Sequence, residues 1–240
     1  MISLLGINAT SLKNNFKTCI VLREQLLENN KRQTCMDEKA TVRAGYDAIA
    51  SKYLKTRSED SEDVQLLQEL VQRLPKGAKV LDAGCGAGVP ITRYLIKFFD
   101  VTGVDFAEEQ IRLARQLVPG AHFLCQDITR LTLADNSFDA ICSYYAIIHI
   151  PRQEHKALLL NFQRMLKPPG LALFCLGADD LEKDFHEYHG TRMYWSHYDA
   201  ETNLNLVKEC GFVIIWSKIV ADSTSPGASH LFVLAQKDCA

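Results

Sequence analysis

The stretch Val80-Leu81-Asp82-Ala83-Gly84-Cys85-Gly86-Ala87-Gly88 constrains the fold more than any other part of this chain. A β-branched, apolar run enters an acidic residue. Three glycines follow at alternate positions, and then a helix-like segment begins. Only glycine lets a backbone turn sharply and still come close to a bound molecule. The spacing is G-x-G-x-G. A dinucleotide fingerprint wants its third Gly or Ala one position later, where Val89 stands. A nicotinamide cofactor is therefore disfavoured.

The pattern around this loop predicts an α/β chain. Helices are expected over 38–54, where Val42, Tyr46, Ile49 and Tyr53 recur at helical spacing, and after a Ser61 cap as far as Leu74. From residue 79 strands and helices alternate. Strands are expected over 79–83, 101–104, 121–125, 138–143 and 171–176, and helices over 90–98, 107–117, 153–166 and 201–210. Gly211 closes the last helix, and 212–219 with 231–235 form a terminal hairpin. Such alternation makes a three-layer, Rossmann-like, doubly wound parallel sheet with helices on both faces. The last two strands lack a helix between them, so one must run antiparallel. Residues 177–200 have no clear period but many aromatics, which predicts an insertion over the site.

With 27 basic and 29 acidic residues the formal charge is −2, which argues against a nucleic-acid partner. No apolar run reaches the roughly 18 residues of a membrane span. The eight cysteines include no C-x-x-C pair, as expected of free thiols in a reducing cytoplasm. Residues 1–35 are expected to be an N-terminal extension, helical or disordered, ahead of a domain over 36–240. Their apolar run Cys19–Leu22 is too short for a secretory core.

In an open α/β sheet, ligands bind at the carboxyl ends of the strands. Asp105 ends the second strand roughly 20 residues after the first glycine, the spacing at which an acid meets ribose hydroxyls. It is equally placed to cap the next helix. Gln126-Asp127-Ile128 follows the third strand, where Asp127 can accept from an adenine amine while Ile128 covers the ring. Ser143-Tyr144-Tyr145-Ala146-Ile147-Ile148-His149-Ile150-Pro151 follows the fourth and brings hydroxyls and an imidazole to the mouth. His149 is a candidate base or positioning donor; a packed structural histidine is the alternative.

Together these motifs resemble class I S-adenosylmethionine-dependent methyltransferases, particularly small-molecule enzymes of the ubiquinone/menaquinone-biosynthesis-like type. Val80–Gly88 is similar to their glycine motif, and Tyr46–Tyr53 to the helix they fold over the cofactor. Leu166–Gly170 is similar to their turn into the fifth strand. The resemblance implies seven strands with the last antiparallel, and S-adenosylmethionine as cofactor. It implies a cofactor site of Tyr46, Tyr53, Asp82, Gly84, Cys85, Gly86, Gly88, Asp105, Phe106, Gln126, Asp127, Ile128, Ser143 and Tyr144. Asp82 is expected near the amino group, and His149 and Tyr145 on the acceptor side.

The acceptor is expected to be a small organic molecule. The fourth-strand segment is Ser-Tyr-Tyr-Ala rather than an Asn/Asp-Pro-Pro-Tyr motif, and no Pro-Cys dipeptide precedes it. Both absences disfavour nucleic-acid methylation. His186-Glu187-Tyr188-His189 lacks the second histidine of a zinc motif, since Gly190 stands there. No metal is expected, and that stretch reads as a polar loop. A protein or RNA methyltransferase, or a cofactor-binding protein without turnover, are the alternative readings. A monomer or homodimer is expected.

Overall fold

The computed structural model describes residues 38–222, 225 and 227–238; the expected extension over 1–35 lies outside them. Helix α1 runs over 38–54. Two short helices follow, α2 (Glu62–Gln65) and α3 (Gln68–Arg73). Then come β1 (Lys79–Ala83), α4 (Ile91–Leu95), β2 (Asp100–Asp105), α5 (Glu108–Leu117) and β3 (His122–Cys125). The second half contains β4 (Phe138–Ser143), α6 (His155–Met165), β5 (Leu166–Gly177), β6 (Leu181–Tyr188), β7 (Thr191–His197), α7 (Ala200–Glu209), β8 (Phe212–Ala221) and β9 (Ser229–Lys237).

Seven strands form one sheet in the order β3-β2-β1-β4-β5-β9-β8. β1 to β5 pair in parallel, whereas β9 runs antiparallel between β5 and β8. The expected Rossmann-like sheet with an antiparallel last strand is therefore present. Val80, Leu81, Asp82 and Ala83 are all buried, as a central parallel strand covered on both faces requires. One apolar layer packs Leu81, Ile141 and Phe174 with Phe162 of α6. The other packs Val80, Ala140 and Leu173 with Leu67, Leu70 and Leu95. Strand order reverses at β1, whose neighbours are β2 and β4. That reversal opens a crevice at the carboxyl edge.

Four elements differ from the sequence expectation. The single helix expected from Ser61 to Leu74 is two, α2 and α3, and β5 begins at Leu166, ahead of the expected Leu171. Helix α4 stops at Leu95, and 96–98 are turns. The 177–200 stretch is a separate two-stranded antiparallel sheet, β6–β7, and so not an aperiodic or polar loop. Its turn uses His189 (φ 55°) and Gly190 (φ 90°). Positive φ at both central residues is the hairpin turn that matches strand twist. His-Gly is a weaker signal for it than Asn-Gly. The hairpin packs Met193 and Tyr194 against Val42 and Ile49 of α1, forming a third apolar cluster.

Candidate active site

The glycine loop between β1 and α4 is shaped by backbone geometry. Gly84 (φ 84°) and Gly86 (φ 52°) are left-handed. A Cβ on Gly84 would lie 2.1 Å from the Ala146 Cβ, so only glycine lets the loop pass the segment after β4. Asp105 fixes the loop from the next strand: one carboxylate oxygen accepts from Gly86 N and the other from Ala107 N, both at 2.9 Å. Burial raises its pKa to about 6, and the Ala107 and Gly86 amides act in the opposite direction.

A cavity of about 640 Å³, measured to its open mouth, lies over this loop. Gly84, Gly86 and Asp105 line it, with Phe106, Asp127 and Ile128 beyond them and Tyr46 and Tyr53 from α1. A neighbouring cavity shares Gly84, Gly86 and Tyr145 and adds Cys85 and Arg57. A third cavity, about 1020 Å³ to its mouth, opens on the far side of Tyr46, Tyr53 and His149. Its walls include Trp195 and Tyr188 of the hairpin and His230 of β9.

His149 stands where the first and third cavities meet. Its Nδ1 lies 2.7 Å from the Tyr194 carbonyl oxygen, and its Nε2 lies 2.9 Å from the Tyr46 hydroxyl. A carbonyl only accepts, so Nδ1 carries the proton and Nε2 receives the Tyr46 O–H. Burial lowers the His149 pKa to about 4, with the Tyr194 carbonyl opposing. The ring is therefore neutral at neutral pH. Burial, reinforced by Tyr53 and Tyr188, raises the Tyr46 pKa well above its ordinary value.

A methyltransferase-domain family model matches residues 80–170. Phosphoethanolamine N-methyltransferase 1 of Arabidopsis thaliana is 34% identical over 160 residues, covering 62% of this chain and 32% of that protein. Demethylmenaquinone methyltransferase of Renibacterium salmoninarum is 31% identical over 134 residues, 54% of this chain and 55% of that protein. The chain thus spans about a third to a half of these curated relatives. The crystal structure of a SAM-dependent methyltransferase from Methanosarcina mazei superposes with a TM-score of 0.64 at 21% identity. It covers 71% of this chain and 97% of that one. The fold is that of S-adenosylmethionine-dependent methyltransferases.

Within this methyltransferase fold, the cavities gather most of the residues singled out in the sequence. Tyr46, Tyr53, Gly84, Gly86, Asp105, Phe106, Asp127, Ile128, Tyr144, Tyr145 and His149 line the first cavity, and Cys85 lines its neighbour. Four residues lie elsewhere. Asp82 is 1% exposed and binds the Thr92 hydroxyl at 2.5 Å, so it braces α4 and does not face the cavity. Burial raises its pKa to about 7, against the Thr92 hydrogen bond. Gly88 packs beside Val118 and Ala114, which makes it a helix-contact glycine. Ser143 donates to the Ala83 carbonyl at 2.8 Å and ties β4 to β1. Gln126 is exposed.

Two further residues differ in role. Tyr145 (φ 57°) directs its hydroxyl to Asp63 at 3.1 Å; its ring forms the wall and its O–H is committed elsewhere. Asp127 caps a short helical turn by accepting from Thr129 N at 2.9 Å while still lining the cavity.

Three polar residues lining the first cavity and its neighbour were not found in the sequence. Lys39 donates to the Thr129 hydroxyl at 2.7 Å and pins α1 over the Asp127 side of the cavity. Gln110 Oε1 and Arg57 Nη1 are buried beside the glycine loop without a partner among the described residues. Arg57 also pairs with Asp63 at 2.9 Å and stacks 4.6 Å over the Tyr145 ring. None of the three carries a sequence signal: Arg57 follows Lys52 and Lys55, and neither Lys39 nor Gln110 stands in a distinguishing pattern.

Among the described residues no cluster of metal-ligating side chains occurs, and no helix is long and apolar enough to cross a membrane.

Proposed function

We propose that this protein transfers a methyl group from S-adenosylmethionine to a small organic acceptor. The observation that carries this reading is the junction at Tyr46 and His149, which joins a cavity over a glycine loop to a second, aromatic cavity. The fit to the cofactor rests on the two orphaned buried atoms. An amino-acid end is zwitterionic, and Gln110 Oε1 is an acceptor for its ammonium while Arg57 Nη1 is a donor for its carboxylate. Buried polar atoms without partners are costly in a native fold, so such a pair marks a ligand position. Asp105 keeps spare lone pairs for ribose hydroxyls, and Phe106 and Ile128 supply flat apolar cover for adenine.

When bound there, the cofactor supplies a methyl group already activated by a positive sulfur. What remains for the protein is alignment and exclusion of water. Tyr46 and Tyr53 form the lid from α1. The Tyr46 hydroxyl, its proton engaged by His149, turns its oxygen lone pairs toward the junction and orients the acceptor's donor group. A small acceptor agrees with the near-neutral charge and with the names of the two relatives.

Calorimetry with S-adenosylmethionine and NAD tests the cofactor, and incubation with labelled S-adenosylmethionine and a metabolite extract tests the transfer. Micromolar binding of S-adenosylmethionine, no binding of NAD and a labelled small product are expected. Preference for NAD, or label only in protein or RNA, would overturn the reading.

A further inference from the structure

We propose that His230, oriented by Asp222, is the proton acceptor for a small amine seated in the third cavity, and that this amine carries no phosphate. The inference rests on the methyl-transfer reading above. His230 lies on β9, 8% exposed, with Nε2 3.2 Å from Asp222 Oδ2. A carboxylate only accepts, so Nε2 carries the hydrogen and Nδ1 holds the lone pair. That Nδ1 is buried and has no partner among the described residues. An acceptor left unpaired in a cavity wall costs stability unless a ligand meets it.

The other histidines of this cavity are differently placed. Both ring nitrogens of His149 are engaged, by Tyr194 and Tyr46. His197 hydrogen-bonds the Asp179 carbonyl oxygen through Nδ1 at 2.7 Å, and a Cβ on Gly177 would lie 2.1 Å from that nitrogen. His186 stacks flat on Trp195 and pairs with Asp184. Among these rings His230 alone combines a carboxylate on one nitrogen with an orphaned lone pair on the other.

The rest of the wall selects the acceptor. Asp179, Asp180 and Asp222 line it together with Tyr188 and Trp195, and among the described residues no Lys or Arg does. Asp180 is shared with Arg152, which lies outside the lining. A phosphate would meet no Lys or Arg among these residues, whereas an ammonium finds carboxylates and ring faces. The proton balance is simple. The ammonium gives one proton to Nδ1, and Asp222 holds the resulting imidazolium. The freed nitrogen lone pair forms the N–CH₃ bond as the S–CH₃ bond breaks, and that bonding pair leaves on sulfur as the thioether.

The test titrates the full chain, loaded with S-adenosylhomocysteine, with two matched pairs by calorimetry: tyramine and its phosphate monoester, ethanolamine and phosphoethanolamine. At least one free amine is expected to bind tenfold tighter than its phosphate ester. With S-adenosylmethionine, that amine should release S-adenosylhomocysteine. His230→Gln should lower kcat at least tenfold while cofactor affinity stays within twofold. Asp222→Asn, the second variant should the first fail to fold, should lower kcat at least fivefold with KM within threefold. Tighter binding of the phosphate esters, no binding of either amine, or unchanged turnover in the variants would overturn the proposal. Failure of the unaltered chain to bind S-adenosylhomocysteine would instead overturn the methyl-transfer reading beneath it.

Discussion

The first cavity and the third are built by opposite means. The floor of the first is backbone: a loop between adjacent elements, left-handed at Gly84 and Gly86 and tethered by Asp105 from the next strand. The wall of the third is side chain: Trp195 and Tyr188 from the hairpin, His230 from β9, and Tyr46 and Tyr53 from α1. A backbone site tolerates no change of residue type where a Cβ has no room. A side-chain site tolerates substitution structurally and changes what it recognises. The two cavities should therefore fail differently.

The harshest way to break that contrast is Gly84→Ala. Its Cβ would meet Ala146 at 2.1 Å from a left-handed backbone, so a stability loss of about 2–5 kcal/mol is expected. Urea unfolding measures it; a loss under 1 kcal/mol would show that the floor yields. Tyr46→Phe comes next. Removing the hydroxyl that meets His149 Nε2 should reduce kcat by about 100-fold, with S-adenosylmethionine affinity within threefold by calorimetry. Parallel losses in both would place Tyr46 on the cofactor side alone. Asp105→Ala should weaken S-adenosylmethionine about tenfold, roughly 1.4 kcal/mol, because both the proposed ribose acceptor and the Gly86 tether go. Trp195→Ala should leave that affinity unchanged and raise only the KM for the acceptor.

The smallest effect is pH-dependent and concerns His155, outside these cavities. Its Nε2 donates to the Ile150 carbonyl at 3.0 Å, and burial lowers its pKa from 6.5 to about 4. A histidine depressed in the folded state contributes stability that is complete above pH 6.5 and lost as pH falls toward 4. The parent's stability relative to His155→Gln should therefore shrink by about 1 kcal/mol between pH 7.5 and 5.5. Asp82 and Asp105, raised to about 7 and 6, contribute the opposite slope, with stability lost as pH rises through those values. They are common to both chains, so the difference isolates His155. A constant difference across that range in urea unfolding would assign His155 no depressed pKa.

The contrast also explains what could be read before folding. The glycine loop, Asp105 and the Asp127-Ile128 pair sit at fixed distances along a βαβ repeat, because each follows the carboxyl end of a consecutive strand. Tyr46 and Tyr53 share a helix face, and His149 follows β4 directly. Asp82 looked like part of the same site because it sits in the motif. Strand alternation, however, turns its side chain to Thr92. Gly88 likewise serves the contact with α5. Gln110 and Arg57 carry no such spacing; only burial without a partner distinguishes them.

The sequence by itself determined the strand–helix alternation and the glycine loop beneath the first cavity, since these follow from local periodicity and from the sterics of glycine. Tertiary structure alone decided that 177–200 is a hairpin packed on α1, that Tyr46 meets His149 across 103 positions of chain, and that His230 stands beside Asp222 in the wall of the third cavity. Those contacts depend on which strands neighbour one another and which faces they present. Such arrangements are set by the packing of the whole core rather than by any stretch of residues read alone.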